Sequence, residues 1–556
     1  MNITGAEAAL AELDRQGVDF VFGYPGGAIM PLYDALYGHH VQHILVRHEA
    51  AAVFAASGYA RTSGRVGVCC ATSGPGATNL VTGLLDAYMD SVPVVAITGQ
   101  VRTALMGTDG FQEADVCAIT QTVTKRNYLV RDPAKIAETL AEAFALARSG
   151  RPGPVLVDIP MDYLKALVSD VAPARTTAPQ VPIARAEPTS IQRAAQLLRD
   201  AHRPVVIIGG GVRYGNALAY YRELIEAVGA PHTATINALG ACEQNDPHFL
   251  GMMGMHGTKA ANLAVHTADV VLALGMRFDD RVTGRPDRFA PAAKIIHADI
   301  DRAEFGKIIQ PEVTLHGDLS ETLRALLAEL RTQRVPRFHD WAADARTLCG
   351  PLPSDRVDGL AATDVLDRFF AKAPHDSIVT TDVGQHQMWA AQRARPAHPQ
   401  AYATSAGLGA MGFGFPAAIG ARFANPNTPV FVISGDGGFQ MAFAEFATLK
   451  RYNVNVKIVL IDNRNLGMVR QWQELFYDAR YSATNLSDNP DFVAIAHAYG
   501  IRAARVESTD TLDGALDDFF SQPGPSLLHC ACYPSENVWP MIPAGGSAEE
   551  QMEARA

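Results

Sequence analysis

Short unbroken apolar runs alternate along this chain with longer stretches that repeat apolar residues every three to four positions. Runs of about 4–8 residues bounded by glycine, proline or a charge read as strands buried on both faces, and the amphipathic stretches between them as crossover helices. Strands are expected at 20–23, 44–47, 66–71, 94–98 and 155–159, then at 205–208, 270–274 and 294–299, and again at 378–381, 430–433, 457–461 and 526–530. The N-terminal stretch NITGAEAALAELDRQGV is an amphipathic helix with Thr4 as its N-cap. Two proline-rich stretches without period, 171–188 and 331–355, read as linkers that supply no regular structure. The expectation is an α/β chain of three parallel-sheet domains at 1–170, 186–332 and 356–540, followed by a tail at 541–556.

Bulk properties narrow the function. A chain of 556 residues is too long for one core, and length alone suggests about three or four domains. The net charge of −11, with no basic block, argues against nucleic-acid binding. No apolar run is long and charge-free enough to cross a bilayer, and the N-terminus lacks a signal pattern, so no membrane association and a cytoplasmic location are expected. Cys69-Cys70 and Cys530-Ala531-Cys532 fall inside apolar strands, where buried reduced thiols are expected; there is no CxxC pair and no zinc spacing.

The candidate chemistry sits where strands end. Strand 430–433 runs into Gly435-Asp436-Gly437, and strand 457–461 into Asp462-Asn463-Arg464-Asn465. Open parallel sheets bind ligands beyond their strand C-termini, so Asp436 and Asn463 should lie side by side. A carboxylate and an amide oxygen suit Mg²⁺, with phosphate oxygens and water completing its shell. The glycines let a backbone approach that phosphate. Glu49 opens an almost wholly apolar helix; a carboxyl buried there is desolvated, which favours its neutral form. An acid at a helix N-terminus has a plainer explanation in the helix dipole. In VVIIGGGV, Gly209, Gly210 and Gly211 follow a strand and permit close approach of a pyrophosphate, but they are not a GxGxxG and are weak evidence alone.

The Gly-Asp-Gly…Asn pattern resembles the diphosphate anchor of thiamine-diphosphate (ThDP) enzymes. FGYPGGAIMPLYDAL, ATSGPGATNL, SGRPGPVLVDIP, GMMGMHGT, MRFDDRVTG, TTDVGQHQMWAAQ, GLGAMGFGFPAAIGA, NLGMVRQWQ and ENVWPMIP extend the likeness over nearly the whole chain. Together they resemble the catalytic large subunit of the acetohydroxyacid synthase (acetolactate synthase) family, most of all its enterobacterial isozyme II type. The resemblance implies a pyrimidine-binding, a central FAD-binding and a diphosphate-binding domain. It implies decarboxylation of pyruvate on ThDP and transfer of the hydroxyethyl unit to a second 2-keto acid, giving 2-acetolactate or 2-aceto-2-hydroxybutyrate for branched-chain amino-acid synthesis.

The same resemblance assigns residues. Glu49 would activate ThDP through its aminopyrimidine, with Tyr24, Pro25, Gly26 and Asn79 nearby. Gly409 and Met411 would contact that ring, and Met411 would enforce the bent cofactor. Val383, Gly384, Gln385, His386, Gly435, Gly437, Gly438, Gly467 and Met468 would serve the diphosphate side, and Asp436, Asn463 and Asn465 the metal. Arg281 would bind the acceptor carboxylate, Trp472 and Met255 would wall its alkyl pocket, and Phe111 and Gln112 would lie near the donor. Lys125 would line the entrance. Gly209, Gly210, Gly211, Gly254, His256, Gly275, Arg277, Asp299, Ile300 and Asp318 would hold a structural, non-redox FAD. A homodimer or homotetramer with the site between subunits, and a small regulatory subunit, are implied as well. Taken alone, Met411 and Trp472 would be ordinary core residues, and Arg281 a partner of Asp279 or Asp280. Ala50, Gly110 and Ala410 depart from the glutamine, alanine and threonine usual at their positions, which bears on substrate preference. Glyoxylate carboligase, a rival of the same chemistry, lacks the glutamate matched by Glu49. A non-catalytic cofactor-binding subunit would have lost Glu49, Asp436 or Asn463.

Overall fold

A computed structural model describes residues 2–169, 184–214, 217–243, 245–333, 335–355 and 357–554. Three six-stranded sheets follow one another along the chain, and every strand pair within them is parallel. The first contains Phe20–Gly23, Gln42–Leu45, Gly67–Ala71, Val94–Gln100, Arg126–Leu129 and Val155–Pro160. The third contains Ile378–Thr381, Tyr402–Thr404, Val430–Gly435, Val456–Asp462, Arg502–Val506 and Ser526–Ala531. Numbered in chain order, both sheets run 2-1-3-4-6-5, so the outer two domains share one topology. The central sheet, Pro204–Ile208, His232–Ala234, Phe249–Met252, Val270–Leu274, Lys294–Asp299 and Val313–His316, runs 3-2-1-4-5-6. That is the doubly wound dinucleotide order.

All twelve expected strands form, within a residue or two of their expected limits. Thr4 caps helix Gly5–Arg15 in a reciprocal capping box with Glu7. Cys69, Cys70, Cys530 and Cys532 are buried and unpaired. No helix among the described residues is long and apolar enough to cross a membrane.

The linker expectation needs correction. Most of 171–188 lies outside the described residues, but Pro188 is the first residue of helix Pro188–Asp200, a position where its missing N–H costs nothing. The second stretch carries helix His339–Arg346. Its Ala342 and Ala345 are buried, and the Trp341 indole N–H donates to the Pro204 carbonyl at 3.1 Å, which docks the segment on the central domain.

The outer domains meet through helix Glu49–Ser63 and helix Gly414–Ala424. A Cβ on Gly58 would lie 2.6 Å from the Ala417 carbonyl carbon, and one on Gly420 2.6 Å from that of Ala55. The apolar character of the first helix fits its burial from Ala51 to Thr62, to which this crossing contributes.

Candidate functional site

In each sheet, the strand order reverses between two strands whose C-terminal ends carry the glycine motifs. These ends are 23/71 in the first sheet, 208/274 in the central one and 381/435 in the third. The central and C-terminal reversals open on one cavity of about 1850 Å³.

On the C-terminal side, Asp436 is buried at the start of helix Asp436–Gln440, and Asp462 ends the neighbouring strand. The Asn489 amide donates to both carboxylates, at 2.8 and 3.1 Å. Burial and then the adjacent Asp462 push the Asp436 carboxyl well above the usual range. Asp462 is held low: burial opposes this, but hydrogen bonds from the His529 ring at 2.8 Å and from Asp436 outweigh it. Asn463 and Asn465 line the same cavity as Asp436. This set of hard oxygen donors fits Mg²⁺.

His386 is buried there, and its Nε2 has no partner among the described residues. Burial pushes its pKa down to about 3, so the ring is neutral and can offer one N–H to a ligand oxygen. Gly435 makes room for it, since a Cβ would lie 2.6 Å from Nδ1. Val383, Gly384, Gly437, Gly438, Gly467 and Met468 also line this end. The Gln385 side chain is committed: it accepts from the Asn463 amide at 3.0 Å and donates to Gln471 and the Glu536 carbonyl.

Gly409 and Met411 reach the cavity from a loop pinned by buried charge. Arg61 bridges Asp86 and Asp90 at 3.1 and 3.0 Å, and Asp90 accepts from the Ala406 and Gly407 N–H groups and from the Asn237 amide, all at 2.9 Å. Residues from all three domains thus meet beneath this loop.

At the mouth, the Arg281 guanidinium lies over the Trp472 ring, 5.6 Å from its centroid, with one nitrogen 3.8 Å from the Met255 sulfur. Its nearest side-chain carboxylate contact is to exposed Asp280 at 3.8 Å. The cation is therefore held by an aromatic face and stays open to a ligand.

On the central side, Gly210, Gly211, Gly275, Arg277, Asp299, Ile300 and Asp318 line the cavity. Gly275 adopts φ +59°, and a Cβ there would lie 2.8 Å from Gly211 Cα, so two glycines are needed for this turn to close. His256 is buried, its Nε2 has no partner among the described residues, and burial lowers its pKa to about 4. Burial raises Asp299 to about 7. Unmet polar atoms around an apolar, glycine-walled cleft fit a dinucleotide.

Known proteins place this arrangement. Three family models match, described as the N-terminal TPP binding, central and C-terminal TPP binding domains of thiamine pyrophosphate enzymes, at residues 3–119, 191–326 and 382–530. The chain is 49% identical over 559 residues to the acetolactate synthase isozyme 2 large subunit of Escherichia coli (strain K12), covering 99% of this chain and 100% of that protein. It is 47% identical to an acetolactate synthase of Mycobacterium bovis, with 100% and 92% covered. It is 45% identical to a probable acetolactate synthase large subunit of Methanocaldococcus jannaschii, with 98% and 94% covered. The chain belongs to the acetolactate synthase family.

In this acetolactate synthase family chain, the N-terminal predicted residues stand apart from the cavity. None of Tyr24, Pro25, Gly26, Glu49, Asn79, Phe111 and Gln112 lines it. The burial expected for Glu49 is not found in the single chain: it is half-buried, and its Oε2 accepts from the exposed Asn79 amide at 3.0 Å. The helix behind it is buried from Ala51 to Thr62, while Glu49 and Ala50 at its start are half-buried. Phe111 is 89% exposed in the single chain. Gly209 and Gly254 shape turns behind the lining; Gly254 adopts φ +108°, and a Cβ there would intrude on the Arg281 carbonyl oxygen at 2.7 Å. Lys125 does not line the cavity of the single chain. Its ammonium donates to the Leu146 and Ser149 carbonyls at 2.6 Å, closing the C-terminus of helix Ile136–Arg148.

The motifs picked out residues that line the cavity, such as Asp436, Asn463 and Arg281, and passed over those behind them. Asp462 was within reach, because it precedes Asn463 directly. Asn489, Asp86 and Asp90 carried no motif and became visible only through their contacts.

Proposed function

We propose that this chain catalyses acetolactate synthesis: it decarboxylates pyruvate and transfers the two-carbon unit to a second 2-keto acid, pyruvate or 2-ketobutyrate, as a step of branched-chain amino-acid synthesis. The observation that carries this reading is the convergence of Arg281, Trp472 and Met255 at the mouth of the cavity that also contains Asp436 and Asn463. Thiamine diphosphate, when bound, supplies the carbanion chemistry. Asp436, Asn463 and the Asn465 carbonyl would hold Mg²⁺, and His386 with the 435–438 backbone would hold the diphosphate. FAD, in a structural role, would be held by Gly210, Gly211, His256, Gly275, Arg277 and Asp299.

Each side chain has a definable task. Glu49, oriented by Asn79, would hold a proton at its carboxyl for the aminopyrimidine ring. Arg281 would fix the acceptor by two parallel hydrogen bonds to its carboxylate. Trp472 would wall the alkyl group and exclude water. Glu49 does not line the cavity that contains Asp436, so a homodimer or homotetramer that brings a second chain's Glu49 to it would complete the site. A small regulatory subunit and a cytoplasmic location accompany this reading, as does the domain division at 1–170, 186–332 and 356–540.

The test is acetolactate formation from pyruvate by the purified protein with Mg²⁺, ThDP and FAD, with and without a small subunit. Pyruvate left unconsumed in both would overturn the assignment. Trp472→Leu is expected to lower the preference for 2-ketobutyrate over pyruvate by about 10-fold or more, the worth of one methylene in a shaped pocket. Competition between the two acceptors measures it, and an unchanged product ratio would remove Trp472 from the pocket.

A further inference from the structure

Glu445 is 1% exposed and lies outside the cavity, yet it carries a carboxylate. The segment that begins at Asp436 passes through Phe443–Glu445 into helix Phe446–Tyr452. Glu445, Thr448 and Tyr452 stand at i, i+3 and i+7, on one helix face. That face grips residues 43–48 of the N-terminal domain. Glu445 accepts the Arg47 backbone N–H at 2.7 Å, and its other oxygen accepts the Thr448 hydroxyl at 2.5 Å. Thr448 also stands 3.1 Å from the Leu45 carbonyl. The Tyr452 hydroxyl accepts the Leu45 N–H at 2.9 Å and donates to the His43 carbonyl at 3.2 Å. These bonds stop at the residues leading into Glu49, where His48 caps the helix by accepting the Ala50 N–H at 3.1 Å.

Fixing a turn does not call for a buried carboxylate, whose desolvation is costly. A charge-assisted bond to a backbone N–H is roughly twice as strong as a neutral one and holds the strand end in one geometry. We propose that Glu445 is a positioning residue for Glu49, holding the 43–48 backbone so that the activating carboxyl is aimed from the C-terminal domain of its own chain. This rests on the reading of Glu49 given above. It makes one continuous segment, 436–448, responsible for the metal end of one site and the glutamate end of another.

The test compares Glu445→Ala, Glu445→Gln, Glu49→Gln and the double variant Glu49→Gln/Glu445→Ala. In cofactor-free protein, amide hydrogen exchange of the peptide spanning 43–52 should quicken in Glu445→Ala, while that of strand Val94–Gln100 stays unchanged. In the loaded protein, exchange of the thiazolium ring proton of ThDP should slow about 10–100-fold in Glu445→Ala, the scale of a mispositioned catalytic group, and less in Glu445→Gln. The double variant should be no slower than Glu49→Gln alone, because both changes act through one carboxyl. Multiplying losses, or ring-proton exchange at the parent rate in Glu445→Ala, would overturn the proposal while leaving Glu49 in place. Parent-rate exchange in Glu49→Gln would instead overturn the reading of Glu49 itself. Should Glu445→Ala fail to fold, Glu445→Gln combined with Thr448→Val carries the same comparison.

Discussion

Glu49→Gln should lower pyruvate turnover by about 10²–10⁴-fold, the range for losing a positioned acid–base group, with little change in fold stability. Its Oε2 accepts the Asn79 amide, and a glutamine oxygen can do the same. What glutamine cannot do is release and regain a proton at the other position. The half-buried setting of Glu49 in one chain makes the replacement mild for folding, since no buried charge is left unpaired. The loss should therefore fall on kcat, with Mg²⁺ and ThDP still retained through Asp436 and His386. Initial rates of acetolactate formation, beside a cofactor titration, distinguish the two effects. Turnover at the parent rate would remove Glu49 from the chemistry, and loss of cofactor binding alone would make it a binding residue.

The sequence reveals most interior strands and misses most edge strands, Gln42–Leu45 being an edge that it finds and His232–Ala234 an interior strand that it does not. Val94–Gln100 and Val155–Pro160 are buried throughout and read as continuous apolar runs. Arg126–Leu129 and Arg502–Val506 lie at sheet edges with charged, half-exposed residues, so neither run nor alternation marks them. Tyr402–Thr404 and Phe249–Met252 are edges of three and four residues, too short for any period to register. The functional residues divide in a similar way. Glycine turns at strand ends are legible because only backbone freedom explains them, as at Gly211 and Gly275. The Asp90 junction is not legible, because its partners Arg61, Asn237 and Ala406 come from three separate parts of the chain. Glu49 shows the converse error: the apolar helix behind it suggested burial, but a helix can be buried from its third residue on and leave its first half-buried.

Gly420→Ala should destabilise the chain by about 3 kcal/mol, the upper end for overpacking, although it adds one methyl group. The new Cβ would lie 2.6 Å from the Ala55 carbonyl carbon and closer still to its oxygen, and neither neighbour is a side chain that can swing away. Relief requires the two helices to separate, which also opens the contact where Phe54 meets Phe413 edge-on at 5.5 Å. Gly64 is the control. It ends the same helix at φ +72°, and an added methyl group there would have nothing within 4 Å, so Gly64→Ala meets only backbone strain of about 1 kcal/mol. Three domains need not unfold as one unit, so the comparison belongs on the first urea transition rather than on a global free energy. Helix Glu49–Ser63 begins at Glu49, so a shift at its crossing also moves the carboxyl. Activity should therefore fall more in Gly420→Ala than in Gly64→Ala under conditions where both remain folded. Equal stability and equal activity in the two variants would mean that the outer domains adjust their spacing freely, and that the glycine crossing does not hold Glu49 in place.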